Sequence, residues 1–233
     1  MLTGGQIAAA RLTDWRKLAQ GLHARYLVDD FATAARFVTA VGEAGDTLSH
    51  HPRVSIGTGY VDLELVSDDA VYRDDEGTEH VVEWVTRLDV DLARRITEIA
   101  ADLEVDADPA AVSEIELGLD TARSASVAPV WAVLLTGSAE SQGRGTPGDE
   151  VRDATGRVPN LWFGDADEHA NPRQRFHVEV WVAPEAAAAR VASARAAGGT
   201  VVDDSNTPRL TVIADREGNL GVVCADVSAT TED

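Results

Sequence analysis

The chain has 233 residues, with 40 acidic against 20 basic side chains and a formal charge of −20. A surface that negative repels nucleic-acid phosphates and anionic lipid, so neither nucleic acid nor membrane is an expected partner. The length allows one large or two small domains, the 44% hydrophobic content suffices for folded cores, and a lone cysteine, Cys224, cannot close an intramolecular disulfide.

Leu2 to Leu12 carries Ile7, Ala8, Ala9 and Ala10, which predicts a short helix capped by Thr3. After Trp15, Leu18 to Val28 reads as one strand, with His23 expected to be structural. Asp30 is a favoured N-cap, and Phe31, Ala34, Ala35, Val38 and Val41 recur at helical spacing. A helix from Phe31 to about Gly45 should therefore bury that face, with Phe31 and Phe37 in the core. Val54-Ser55-Ile56 and Tyr60 to Val66 follow as strands, and in the second Val61, Leu63 and Leu65 alternate with polar residues. Asp68-Asp69 reads as a turn. Val71-Tyr72-Arg73 and Val81 to Val85 flank Asp74-Asp75-Glu76-Gly77, a hairpin signal. Asp89 is expected to cap a helix running to about Leu103. The expected fold is an α+β layer with helices on one face of an antiparallel sheet.

The acidic stretch Glu104 to Ala110, with Pro109, ends that helix and marks a boundary between domains 1–105 and 112–228. Beyond it Ile115 to Asp120 alternates as a strand, Ala122 to about Leu135 reads as a helix, and Gln142 to Arg157 as a polar, glycine-rich loop. Asn160 to Phe163 is a strand, His169 lies in a charged loop, and Phe176 to Val182 alternates again. Pro184 opens a helix through Ala197, stopped by Gly198-Gly199. Thr200–Val202, Thr211–Ala214 and Gly221–Cys224 are the last strands, so the pattern is a repeated βαβββ.

His50 and His51 stand between a predicted helix and a predicted strand. Pro52 biases His51 toward extended backbone, and adjacent extended residues point to opposite faces. At least one ring must therefore lie in a cleft or at the surface. Histidine, with an unperturbed pKa of about 6.5, is the side chain suited to moving protons near neutral pH.

Asp46-Thr47-Leu48-Ser49-His50-His51-Pro52, an acidic residue and three others before His-His-Pro, resembles the signature of the pterin-4a-carbinolamine dehydratases. Asp89 ahead of Val90-Asp91-Leu92-Ala93-Arg94-Arg95-Ile96 is similar to the opening of that family's final helix, and His80 precedes Asp89 by nine residues. Tyr26 to Val38 is similar to the strand and helix leading into the histidines. The resemblance spans roughly the first hundred residues. It implies dehydration of a 4a-hydroxytetrahydropterin to the quinonoid dihydropterin by general acid–base catalysis, without metal or organic cofactor, in a cytoplasmic homo-oligomer. His50, His51 and His80 would move protons, with Asp89 orienting or tuning a ring. Asp46, Pro52 and Tyr60 are the substrate-side candidates, Asp46 by holding a histidine or a helix end. Counted directly from His-His-Pro, the third histidine's place falls near Asp68, so about ten residues are inserted before His80. A hairpin extending the sheet would carry His80 back to the site. Thr58 occupies the expected place of an aromatic residue, with Tyr60 nearest to it.

In the second half, Arg175-Phe176-His177-Val178-Glu179, Ala196 to Val202 and Asp215 to Asn219 look like part of a glyoxalase-like, vicinal-oxygen-chelate domain. Metalloenzymes of that kind need several donors converging on one point. Alternation puts His177 and Glu179 on one face, with Glu116 as a third candidate, while the last strand offers no carboxylate. The domain is therefore expected to be metal-free, binding a small molecule or packing on its neighbour. Trp131, Trp162, Trp181 and Phe176 are candidate pocket residues. Two other readings stay open: a ligand-binding protein without chemistry, and a metal-dependent lyase or dioxygenase acting through the second domain.

Overall fold

A computed structural model describes residues 1–122, 124–125, 128, 150–152, 158–167, 176–196, 199–214 and 220–228. The chain divides into two compact units. One comprises Met1–Ser113 with Val182–Ala186 and the last residues from Asp226; the other comprises Glu114–Trp181 and Ala187–Ala225.

The first unit begins with α1 (Gly4–Ala9), which Thr3 and Gln6 close as a reciprocal capping box. The expected strand from Leu18 to Val28 is two strands, β1 (Arg16–Leu18) and β2 (Gly21–Leu27), joined by a tight turn with Ala19 at φ 43°. Asp30 caps α2 (Phe31–Leu48), its carboxylate accepting from the Thr33 amide at 2.6 Å. β3 (Arg53–Gly57), β4 (Tyr60–Leu65), β5 (Ser67–Arg73), β6 (Glu79–Trp84) and α3 (Arg87–Asp102) complete the unit. The antiparallel sheet has the order β1-β2-β4-β3. Register pairs Leu22 with Leu65, Ala24 with Leu63 and Tyr26 with Val61, so one face of β2 and β4 is apolar. That face packs with Phe37 and Val41 of α2 and Leu92 and Ile96 of α3 in one core. Tyr26 lies 4.9 Å from Phe37 between ring centroids, and its hydroxyl reaches Asp14 at 3.1 Å.

Three local expectations are corrected. Phe31 is 69% exposed instead of buried. The buried stripe is Ala34, Phe37, Val41 and Gly45, and Phe31, in the first turn, falls off its edge. Asp68-Asp69 is not a turn but part of β5, because the chain continues from β4 into a ribbon. Asp89 is not the cap of α3: Thr86 is, and Asp89 is the third helical residue, closing a capping box.

The second unit is built on a seven-stranded mixed sheet of order β11-β12-β13-β10-β7-β9-β8. Its strands are β7 (Ser113–Thr121), β8 (Glu150–Val151), β9 (Leu161–Asp165), β10 (Phe176–Val182), β11 (Thr200–Asn206), β12 (Leu210–Ala214) and β13 (Leu220–Cys224), with α4 (Pro184–Ala196) between β10 and β11. β7 pairs with β9 and β10 with β13 in parallel, the pairings that close each repeat. β8 lies within the stretch expected to be loop, where two residues pair with β9. The expected helix from Ala122 to Leu135, His169 and Trp131 lie essentially outside the described residues. The two faces of β7 differ sharply: Leu117 and Leu119 pack with Val151, Leu161 and Phe163, while Glu116 and Asp120 take the opposite face.

Candidate active site

α2 ends at Ser49, whose left-handed backbone (φ 51°) turns the chain. The His50 amide then reaches back to the Gly45 carbonyl at 3.1 Å. Gly45 permits this close return, since a Cβ there would meet the His50 carbonyl oxygen at 2.8 Å and the His51 ring at 2.6 Å. The two histidines diverge, as adjacent extended residues must. His50 turns inward with its side chain 13% exposed, and His51 turns outward at 52%.

His50 Nε2 lies 2.7 Å from Asp89 Oδ1. Asp89 has no exposed surface. Its other oxygen accepts from the Thr86 amide at 2.7 Å, from Ser67 Oγ at 2.8 Å and from Thr86 Oγ1 at 3.1 Å. The two hydroxyls are 2.7 Å apart, so serine, threonine and carboxylate form a closed cluster. The first turn of α3 adds the positive end of its dipole. A carboxylate so placed is an acceptor that orients the His50 ring through Nε2 and directs Nδ1 away from it. Asp89 thus fixes the ring and is ready to stabilise an imidazolium, the arrangement a general base requires.

The other sequence candidates are distributed around this pair. His51 Nε2 contacts Asp46 Oδ1 at 2.9 Å, but Asp46 is 80% exposed there, so solvent screens the pair. Pro52 is half-buried between them and β3. Tyr60 lies on the sheet face away from the helices, its ring over Gly57 and 4.1 Å under the Arg25 guanidinium. His80 sits on β6, opposite Tyr72 in register and stacked on it at 6.2 Å. Its Nε2 contacts Asp74 Oδ2 at 2.9 Å, while Asp74 Oδ1 accepts from the Glu76 and Thr78 amides. The bond from His80, then that from the Thr78 amide, holds the Asp74 carboxyl below its ordinary range. β5 and β6 form a two-stranded sheet of their own and do not extend the four-stranded one. Six residues of extended chain, about 20 Å, separate His80 from Thr86. The structure therefore brings together His50 and Asp89, and it places His80 on the β5–β6 ribbon, bonded to Asp74 of its turn.

Ser67 and Thr86 were not singled out by sequence reasoning. Thr86-Arg87-Leu88-Asp89 fits the capping-box pattern, so Thr86 had a local signal. Ser67 had none, because its role depends on the ribbon's first residue returning beside α3.

Comparison with known proteins separates the two halves. The pterin 4 alpha carbinolamine dehydratase family profile matches residues 2–99. A provisionally named pterin-4-alpha-carbinolamine dehydratase of Koribacter versatilis (strain Ellin345) is 31% identical over 94 residues, which are 40% of this chain and 87% of that protein. The chain belongs to the pterin-4-alpha-carbinolamine dehydratase family. A glyoxalase-like domain profile matches residues 116–224, so the dehydratase-family region is joined to a glyoxalase-like one. A crystal structure titled transcriptional coactivator/pterin dehydratase, from Brucella melitensis, is 26% identical, covering 41% of this chain and 90% of its own, with a TM-score of 0.33. Within the dehydratase-family region, the β5–β6 ribbon is rooted at both ends on the Asp89 cluster, through Ser67 at its start and Thr86 just beyond its end.

In the glyoxalase-like region, His177 Nε2 lies 3.5 Å from Glu179 Oε1, and Glu116 accepts from Asn160 Nδ2 at 3.1 Å. Among the described residues, no group of three His, Cys, Asp or Glu side chains converges to hold a metal ion. No helix is long and apolar enough to cross a membrane among the described residues.

Proposed function

We propose that the N-terminal domain dehydrates a 4a-hydroxytetrahydropterin to the quinonoid dihydropterin and water. The observation that carries this reading is the buried His50–Asp89 pair, whose carboxylate holds the ring at 2.7 Å. The C4a–oxygen bond breaks as the hydroxyl leaves with an added proton, and a ring-nitrogen proton is lost. His50 is one proton-transfer group, and Asp89 stabilises its charged form. His51, exposed beside Asp46, is the second group at the site's outer edge. His80 holds the ribbon turn, so the site works through two histidines, and Tyr60 stays with the outer sheet face.

The deciding experiment is dehydration of synthetic 4a-hydroxytetrahydropterin by the purified chain, beside the His50→Ala/His51→Ala double variant. Positioned acid–base groups contribute about 10²–10⁴-fold, so the parent protein should exceed the spontaneous rate by a margin that the variant loses. Absence of turnover in the parent would sink the reading. A second reading, pterin binding without turnover, is favoured by one observation: the third histidine is held in the ribbon. Saturable pterin binding without product would establish it.

A further inference from the structure

A cavity of about 560 Å³ opens in the first unit, and all of its described lining belongs to that unit. It shares no lining residue with the cluster of His50, Ser67, Thr86 and Asp89. Close-packed interiors leave few spaces larger than a water molecule, whereas pockets of about 300–1,000 Å³ hold small ligands. Ile7 and Ala8 of α1, with Leu12, Trp15 and Leu22, give the cavity apolar walls. The same lining holds three cations, Arg11, Arg16 and Lys17, against one carboxylate, Asp226. In a chain of formal charge −20, this local excess favours an anion where most of the surface repels one. Two of the cations are already committed. Arg16 bonds to Glu185 at 2.6 Å and to the Thr13 and Trp15 carbonyls. Lys17 bonds to the Ala19 carbonyl, stands 4.3 Å over the Trp84 ring and lies 4.0 Å from Asp226. The Arg11 guanidinium is exposed and has no hydrogen-bond or ion-pair partner among the described residues. Its backbone is left-handed at φ 52°, where glycine would be free of strain, so the arginine is held there at a conformational cost. One uncommitted fork of N–H donors beside apolar walls matches a single carboxylate on an apolar body. The fork pairs with both oxygens, and the walls take the body out of water. A multiply charged phosphate would call for more than one uncommitted cation.

We propose that this cavity binds a small monocarboxylate with an apolar, ring-sized body, Arg11 holding the carboxylate while Leu12 and Trp15 pack on the body. The inference goes beyond the dehydratase reading and does not rest on it. Isothermal titration of the full chain with indole-3-acetate tests it, with tryptophol, which carries an alcohol in place of the carboxylate, as the uncharged control. The expected result is saturable binding of indole-3-acetate, weaker by at least about fivefold for tryptophol and by as much for indole-3-acetate in Arg11→Gln. Arg11 is exposed and its side chain bonds to none of the described residues, so the thermal melt of Arg11→Gln should match that of the parent. The His50→Ala/His51→Ala variant should bind indole-3-acetate as the parent does, and loss of binding there would move the ligand to the dehydratase site and overturn the proposal. No saturable heat up to about 10 mM, equal affinity for tryptophol, or unchanged affinity in Arg11→Gln would overturn it as well.

Discussion

Two histidine–aspartate pairs in the first unit have nearly the same bond length and opposite settings. His50 and Asp89 meet at 2.7 Å with the carboxylate fully buried and its second oxygen held by Ser67 and Thr86. His80 and Asp74 meet at 2.9 Å, with Asp74 31% exposed and its second oxygen closing a turn. The distance alone does not separate a buried, fully bonded pair from a hairpin staple. What separates them is the cost of removing a partner. In the first pair a buried donor set loses its acceptor, whereas in the second water replaces it.

The comparison breaks most directly at Asp89. Asp89→Ala leaves the His50, Ser67 and Thr86 donors facing a buried void, with an expected loss of about 3–5 kcal/mol by urea unfolding. Asp89→Asn keeps the shape but offers an amide to the ring, and should lower turnover by about 10²-fold or more without unfolding the chain. Equal turnover in Asp89→Asn would show that the buried pair is structural.

His23 sharpens the contrast, as a buried histidine of the same sheet. Burial first, then Lys17, lowers its pKa from 6.5 to about 4. A lowered histidine pKa means that the unfolded chain binds a proton which the folded chain refuses. Its contribution to stability is complete above pH 6.5 and is lost as the pH falls toward 4, by on the order of 3 kcal/mol. Unfolding measured across that window should show a shallower acid slope in His23→Gln than in the parent chain. Parallel slopes would mean that His23 does not resist protonation in the fold.

Ser67 tests the ribbon root. Ser67→Ala removes one of the donors on Asp89 Oδ2 and should cost about 1–2 kcal/mol, with Ser67→Thr restoring the bond. A shift of the His50 ring titration by nuclear magnetic resonance, reversed in Ser67→Thr, would distinguish positioning of the dyad from simple packing. The smallest effect belongs to the ribbon pair, His80 and Asp74. His80→Ala should leave pterin turnover intact, and a large loss would put His80 back among the proton-transfer groups.

Much of the local structure was legible in the residues themselves. Thr3 and Asp30 cap helices because their side-chain oxygens reach the next free amides. Val61, Leu63 and Leu65 face the core because a strand alternates. The divergence of His50 and His51 followed from the extended chain before Pro52. Phe31 was misread because apolar spacing locates a helix but not the centre of its buried stripe. Trp162 and His177 were legible as ring side chains, and only the structure set them edge to face across the intervening strand β7.

The sequence by itself determined the caps of α1 and α2, the alternation of β4 and the family signature, since each depends on neighbours along the chain. The resemblance named His50 and Asp89, but tertiary structure decided which ring the carboxylate holds: the two stand 39 residues apart, and Ser67 enters from a third element. The same holds for His80. Its spacing from Asp89 agreed with the signature, but a ribbon that pairs with itself rather than with the sheet keeps it at its own turn. Contact between residues distant in sequence is set by packing of the whole core, and spacing along the chain carries no record of it.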